Sequence, residues 1–331
     1  PTSTFRLKLR TLSPLCITSK VERNVVFSND CIPGGMLMGA IGSAMGEKAA
    51  AFWKAVDAGN VRVSFGMPRF GESRGLPMPF AIEHRKGDEK KIRNGFIAVR
   101  EAYWKQARKG YWAKSGEEFI WDSPKKSVIS HNVIEDQHQR PTSAVGGVFT
   151  YHSVDSHTPY ECLVTLPSSM GKALEGKTLR IGRSKSVEYG EVQVEAVEAY
   201  KAGSGNDPGT EVSMQVVSPL LLRDKRTGVW VPTLERLLTE LKDKLGVEPT
   251  VQENDRGPMV ELRPIEVQTW NVKGRTPRPS AVGLQPGSCL KLKFEPGVTL
   301  TKLKELELKG MGERLAEGFG EVAFNPEILT L

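Results

Sequence analysis

The chain repeats itself. Residues 182–192 read Gly-Arg-Ser-Lys-Ser-Val-Glu-Tyr-Gly-Glu-Val, and residues 312–322 read Gly-Glu-Arg-Leu-Ala-Glu-Gly-Phe-Gly-Glu-Val. In both stretches two glycines stand eight residues apart, an aromatic precedes the second, and Glu-Val follows. Upstream, Leu163 to Pro167 (LVTLP) is matched by Leu292 to Pro296 (LKFEP). Further back, Leu12-Ser-Pro-Leu15 is matched by Val217-Ser-Pro-Leu220. Three pieces in the same order define a duplicated unit, and 331 residues suffice for two copies with a core each.

The copies divide at residues 201–210, Lys-Ala-Gly-Ser-Gly-Asn-Asp-Pro-Gly-Thr, whose composition is that of a linker. This predicts one module over residues 1–200 and a second over 211–331. In the first, Phe5 to Leu12 alternates as a strand and Gly34 to Val56 reads as a helix. Strands follow over Val61 to Phe65, Val148 to Val154 and Tyr160 to Leu166, then a short helix over Ser168 to Leu174. Leu179 to Ile181 and Val192 to Val197 flank the glycine loop as strands. In the second module, strands are expected over Glu211 to Leu222, Val267 to Val272 and Ser288 to Phe294. Helices are expected there over Pro232 to Leu245 and Leu300 to Leu308. Each copy therefore follows a βαββαβ order, which makes the chain α+β with two tandem ferredoxin-like (RRM-like) modules. The first carries an insertion at about 66–145.

Composition narrows the partner. The formal net charge is +7, which favours a polyanion, most simply nucleic acid. Cys16, Cys31, Cys162 and Cys289 lie far apart with no metal spacing, as suits lone buried thiols in a reducing compartment. No apolar run is long enough to span a membrane, and no secretory pattern opens the sequence. The expectation is a soluble, cytoplasmic protein without a cofactor or metal.

Each glycine loop can let another backbone approach closely and can turn amide N–H groups toward phosphate oxygens. Two tight turns would also need these glycines, but their recurrence beside Arg183, Lys185 and Arg314 favours RNA contact. The candidate residues are Gly182, Arg183, Ser184, Lys185, Ser186, Tyr189 and Gly190 in the first loop. In the second they are Gly310, Gly312, Arg314, Gly318, Phe319 and Gly320. The helix entry adds Gly34 and Gly35, since a helix N-terminus accepts anions. Gly35, Gly39 and Ser43 recur at spacing four, and close packing and ligand approach explain that stripe equally well. Between His84 and Trp112, basic residues interleave with Tyr103, Trp104, Tyr111 and Trp112. The spacing favours an amphipathic helix there over a base-stacking surface.

Catalytic patterns are missing. Gly171-Lys172-Ala173 lacks the Ser/Thr of a P-loop, and no HExxH, GxSxG or strand-led GxGxxG occurs. His84, His131, His138, His152 and His157 form no metal pattern, and the last four read as solvated side chains of a polar insertion and hairpin.

The segments Ile32-Pro-Gly-Gly-x-Leu-x-Gly-Ala40, Gly182-Arg-Ser-x-Ser-x-x-Tyr-Gly190 and Gly310-x-Gly-Glu-Arg-x-x-Glu-Gly-Phe-Gly320 resemble the RAMP superfamily of CRISPR-associated proteins. Val63-Ser-Phe-Gly66, Leu76-Pro-Met-Pro79, Lys86-Gly-Asp88, Gln137-x-x-Arg-Pro141 and Phe149-Thr-Tyr151 are similar to the type III-D subunit of the Csx-ten family. So are Trp270-Asn-Val272, Pro277-Arg-Pro279 and Gly287-Ser288. The resemblance implies two RAMP modules in a Cas-five-like, non-catalytic subunit that holds the 5′ handle of the guide RNA (crRNA) at one end of an antiviral effector complex. It also implies contacts with the large signalling subunit and a backbone RAMP subunit. Related members that cut guide precursors place a catalytic His near the first strand-to-helix connection. Ser13 to Gly34 contains none, which leaves a metal-independent endoribonuclease as the second reading.

Overall fold

The structure is a computed structural model that describes residues 1–331 apart from 100, 134–146, 186–187, 204 and 272–275. Ser186, His138, Gln137, Arg140, Pro141 and Val272, all singled out above, lie outside the described residues. The chain forms two units, one of Pro1–Gly75 with Asp122–Tyr200, the other of Leu76–Trp121 with Lys201–Leu331.

In the first unit the strand Thr2–Thr11 lies between Pro159–Pro167 and Glu191–Ala199, antiparallel to both. Arg62–Val63 pairs on the far side of Pro159–Pro167. The order is fourth, first, third, second strand of a βαββαβ unit, the ferredoxin-like arrangement. Alternation in Phe5-Arg-Leu-Lys-Leu puts Leu7 and Leu9 into the core, where both are fully buried with Leu37, Ile41, Phe52 and Tyr160. The single helix expected over Gly34 to Val56 is broken. It forms α1 (Gly34–Ala44), a 3-10 turn and α2 (Ala49–Asp57), because Gly46 takes a φ of 58° that no right-handed helix can continue. A second sheet of this unit runs in the order Lys126–Val133, Gly147–Val154, Val25–Ser28, Thr18–Glu22.

The second unit repeats the plan. Glu211–Val216 lies between Cys289–Phe294 and Val322–Phe324, and Pro249–Val251 pairs beyond Cys289–Phe294. Helix α3 (Leu234–Leu245) is capped by Thr233, whose hydroxyl accepts from the Arg236 amide, and it stops at Gly246 with φ 73°. Helix α4 (Leu300–Lys309) is capped in the same way by Thr299 and stops at Gly310. The expected linker is partly ordered against this unit, since Asp207 Oδ1 accepts from the Leu300 amide at 2.7 Å.

The insertion differs from expectation in two respects. Residues 76–121 belong to the second unit and do not extend the first. They form strands, Ile82–Arg85, Asp88–Asn94 and Trp104–Gln106 in one sheet and Tyr111–Ser115 paired with Leu76–Pro77, in place of an amphipathic helix. The reason is turn chemistry. Lys86-Gly87-Asp88 closes a hairpin with Gly87 at φ 84°, and Gly110 and Gly116 also take positive φ, so no helix can run through. Burial then fixes the partner. Trp112 Nε1–H donates to Gln215 Oε1 at 3.3 Å, the Gln215 side-chain amide donates to Pro77 O, and Phe80 N–H donates to Gly287 O at 2.8 Å. Trp112→Ala is expected to lower stability by about 3–5 kcal/mol in urea unfolding, as for other buried aromatics.

Candidate nucleic-acid interface

The Ser-Pro-Leu segments and the glycine loops are one device built twice. Gly190 N–H donates to Pro14 O at 2.9 Å, and Gly320 N–H to Pro219 O at 3.0 Å. Glu191 N–H donates to Ser13 Oγ at 3.0 Å, and Glu321 N–H to Ser218 Oγ at 2.9 Å. Arg183 N–H donates to Cys16 O at 2.9 Å, and Glu313 N–H to Leu221 O at 3.0 Å. Gly182 and Gly190 have φ of 85° and 77°, and Gly312 and Gly320 have 81° and 71°. A Cβ on Gly190 would lie 2.0 Å from Ile181 O, and one on Gly320 would lie 1.8 Å from Met311 O. These glycines are required by backbone approach inside the protein. The amides of Arg183, Gly190 and Glu191 are spent there too, and those three are closed to an outside acceptor.

The two copies differ in what their loops display. In the first, Arg183, Ser184 and Lys185 are exposed, while Tyr189 and Gly190 are buried. Among the described residues neither Arg183 nor Lys185 has a carboxylate within ion-pairing distance. In the second, Gly310, Gly318, Phe319 and Gly320 are buried, and Gly312 and Arg314 are half-buried. Arg314 Nη1–H donates to Thr269 Oγ1 at 3.1 Å. The acids of that loop are also engaged, Glu313 with Arg223 at 2.9 Å and Glu317 with Arg278 at 2.7 Å. Its acids are paired within its own unit, while Arg314 is held by the Thr269 hydroxyl and lies 6.0 Å from the Trp230 ring centroid.

The first loop abuts side chains that sequence reasoning passed over. On the second sheet of the first unit, His131 stacks on Phe149 with ring centroids 5.1 Å apart and planes 17° apart. His131 Nε2 lies 2.8 Å from Tyr189 Oη, the donor depending on the tautomer. Tyr151 packs edge-on to Tyr189 at 5.3 Å, and its hydroxyl lies 3.2 Å from Ser184 Oγ. Burial pushes the Tyr189 phenol up, with Glu188 adding to it, so it stays neutral at physiological pH. Burial also pushes the Cys16 thiol up, against the opposing charge of Arg183. His131 was expected to be solvated. Its partner Tyr189 stands 58 residues away, and no local pattern announces such a pair.

At the helix entry Gly34 is buried, Gly35 is half-buried, and no side chain caps α1. The stripe of small residues is not a packing seam at Gly39, where a Cβ would meet nothing within 4 Å. Close packing falls instead on Gly42, where a Cβ would lie 2.4 Å from the Trp53 ring. Gly171 of the P-loop-like stretch is likewise a packing glycine, its Cβ position 2.4 Å from the Phe5 ring. Among the described residues no three His, Cys, Asp or Glu side chains are grouped to hold a metal, and no helix is long and apolar enough to cross a membrane.

Comparison with family models and with characterised proteins finds no match. Among solved structures, a chain of the type III-B Cmr-beta complex bound to cognate target RNA shares the fold, with a TM-score of 0.51 at 10% identity over 86% of both chains. The same complex bound to target RNA and AMPPnP gives 0.50, also at 10% identity over 86% of both. A Cas6-related protein from Pyrococcus furiosus aligns over 99% of this chain and all of its own at 12% identity, with a TM-score of 0.43 that carries no argument. The first two likenesses establish the class of fold.

Gly190→Ala and Gly320→Ala are each expected to cost at least about 1–3 kcal/mol, from the positive φ and the carbonyl clash. Gly39→Ala, in open space on a helix, is expected to be neutral or to stabilise by up to about 1 kcal/mol. Denaturant midpoints of the three variants check both statements.

Proposed function

We propose that this chain is a non-catalytic guide-RNA-binding subunit of a CRISPR effector complex, of the type III-D, Csx-ten kind. In this reading it holds the 5′ handle of the guide at one end of the complex. Its partners there are the large signalling subunit and a backbone RAMP subunit, and it works in the cytoplasm. The observation that carries the reading is the exposed first loop, where Arg183 and Lys185 have no acidic partner among the described residues and stand beside the His131–Tyr189 cluster. A fold shared with a chain of an RNA-bound type III-B complex supports it. The second loop, with its acids paired and Arg314 half-buried against Thr269, serves mainly its own module. Arg183→Ala with Lys185→Ala is expected to weaken RNA binding without changing the melt. Losing two phosphate contacts should flatten the log–log salt dependence by about 1.4, at roughly 0.7 per contact on a single strand. A wild-type slope and affinity would remove the first loop from the interface.

One observation favours the endoribonuclease as a second reading. His131 and Tyr189 are 2.8 Å apart beside the basic loop, a pairing able to move a proton without a metal. The first reading expects labelled precursor RNA to survive incubation with the purified protein, with or without magnesium. Specific cleavage that disappears in His131→Ala but persists in His157→Ala would decide for the enzyme.

A further inference from the structure

The positive charge of this protein is concentrated in one short stretch. Residues 84–109 carry nine Lys and Arg against three Asp and Glu, a net +6 of the +7 in the whole chain. The remaining residues are close to balance, so this stretch carries most of the net charge that draws in a polyanion. The stretch lies in the second unit, away in sequence from both glycine loops, and forms the sheet of Ile82–Arg85, Asp88–Asn94 and Trp104–Gln106.

The register of that sheet brings the relevant side chains to its turn end. Arg85 stands opposite Trp104 on one face, and Lys105 opposite His84 on the other. Lys86 N–H donates to Tyr103 O at 2.8 Å, which places these two side by side at the strand ends. Arg85, Lys86 and Lys105 are exposed, and none has an ion-pair partner among the described residues. Three neighbouring acids are already engaged, and Glu89 on the next strand is exposed without an ion pair among the described residues. Glu83 and Glu101 lie 2.8 and 3.7 Å from Arg93, and Asp88 lies 3.7 Å from Lys91. Arg93 sits 4.2 Å over the Trp104 ring, whose indole N–H donates to Glu101 at 3.0 Å, so that ring is held in place. Tyr103, by contrast, is 70% exposed, with its carbonyl bonded to Lys86 N–H at the same end of the sheet. An aromatic of this size left in water offers a face on which an unpaired base can stack, while flanking cations neutralise the adjoining phosphates.

We propose that this hairpin sheet is a second single-stranded RNA contact, with Tyr103 stacking a base and Arg85, Lys86 and Lys105 meeting the backbone. It rests on the reading of the chain as an RNA-binding subunit and gives that reading a second contact. A polyanion suits it better than an apolar protein face, because three unpaired cations would be costly to desolvate against anything but anions.

The test uses the full chain and a fluorescent single-stranded oligoribonucleotide of mixed sequence, titrated at several salt concentrations beside a thermal melt. Arg85→Gln with Lys86→Gln and Lys105→Gln is expected to flatten the salt dependence by about 2, at roughly 0.7 per lost contact. Tyr103→Ala is expected to lose about tenfold in affinity, while Tyr103→Phe, which keeps the ring, retains it. None of these exposed changes should move the melt. Wild-type affinity and slope in the triple variant, with Arg183→Ala/Lys185→Ala still weakened, would overturn this inference and leave the proposed function standing. Absence of RNA binding by the unaltered protein would instead sink the RNA reading itself. Intact RNA binding with loss of the triple variant from the assembled complex would assign the surface to an acidic protein partner and overturn the inference as well.

Discussion

The structure depends on a backbone contact, the approach of one chain segment to a glycine where no Cβ can fit. In each copy the end of the first strand turns through Ser-Pro-Leu and accepts three amides from the loop that leads into the fourth strand. First and fourth strands are neighbours in the sheet, so this contact closes the module at the end where the chain leaves one and enters the other. Each such hydrogen bond contributes about 1 kcal/mol net, and leaving its amide buried and unpaired would cost more. This explains why two copies that have drifted almost everywhere else keep these residues. Loop side chains differ between the copies, an exposed basic display in one and, in the other, acids paired with arginines from elsewhere in the unit.

The open face of the first ferredoxin-like sheet is occupied by the protein's own charges. Arg6, Lys8 and Arg10 alternate with the buried leucines of the first strand and meet Glu161, Glu198 and Glu195. Glu161 is nearly buried, and burial pushes its carboxyl up while Arg74, Arg6 and Arg69 hold it down. RNA-recognition sheets of this shape commonly present stacking aromatics on that face. Here an ionic lattice takes the place of such aromatics on that strand.

Much of the fold was legible because duplication constrains it twice. The strand Thr2–Thr11, the pair Pro159–Pro167 and Cys289–Phe294, and helices α3 and α4 all carry their period, caps or breaks in local sequence. The broken helix at Gly46 and the hairpins at Gly87 and Gly110 were not, because a glycine in a periodic run reads as tolerated until its φ is known. Likewise the docking of residues 76–121 on the second unit rests on Trp112 with Gln215 and Phe80 with Gly287, partners more than a hundred residues apart. At the candidate site, Arg183 and Lys185 were visible as basic residues beside a repeat. His131 was hidden, since a lone histidine in a polar stretch gives no sign of the tyrosine it will meet.

The path of the chain between the units has a consequence for synthesis. The polypeptide passes from the first unit to the second after Gly75, returns after Trp121, and leaves again after Tyr200. Residues 76–121 therefore emerge from the ribosome long before the strands they pack against, Glu211–Val216 and Cys289–Phe294, have been made. At about 5–20 residues per second the wait is on the order of 10–40 s, during which Trp112 and Phe80 lack their partners Gln215 and Gly287. The segment that carries most of the chain's net charge is therefore also the one that waits longest for its other half.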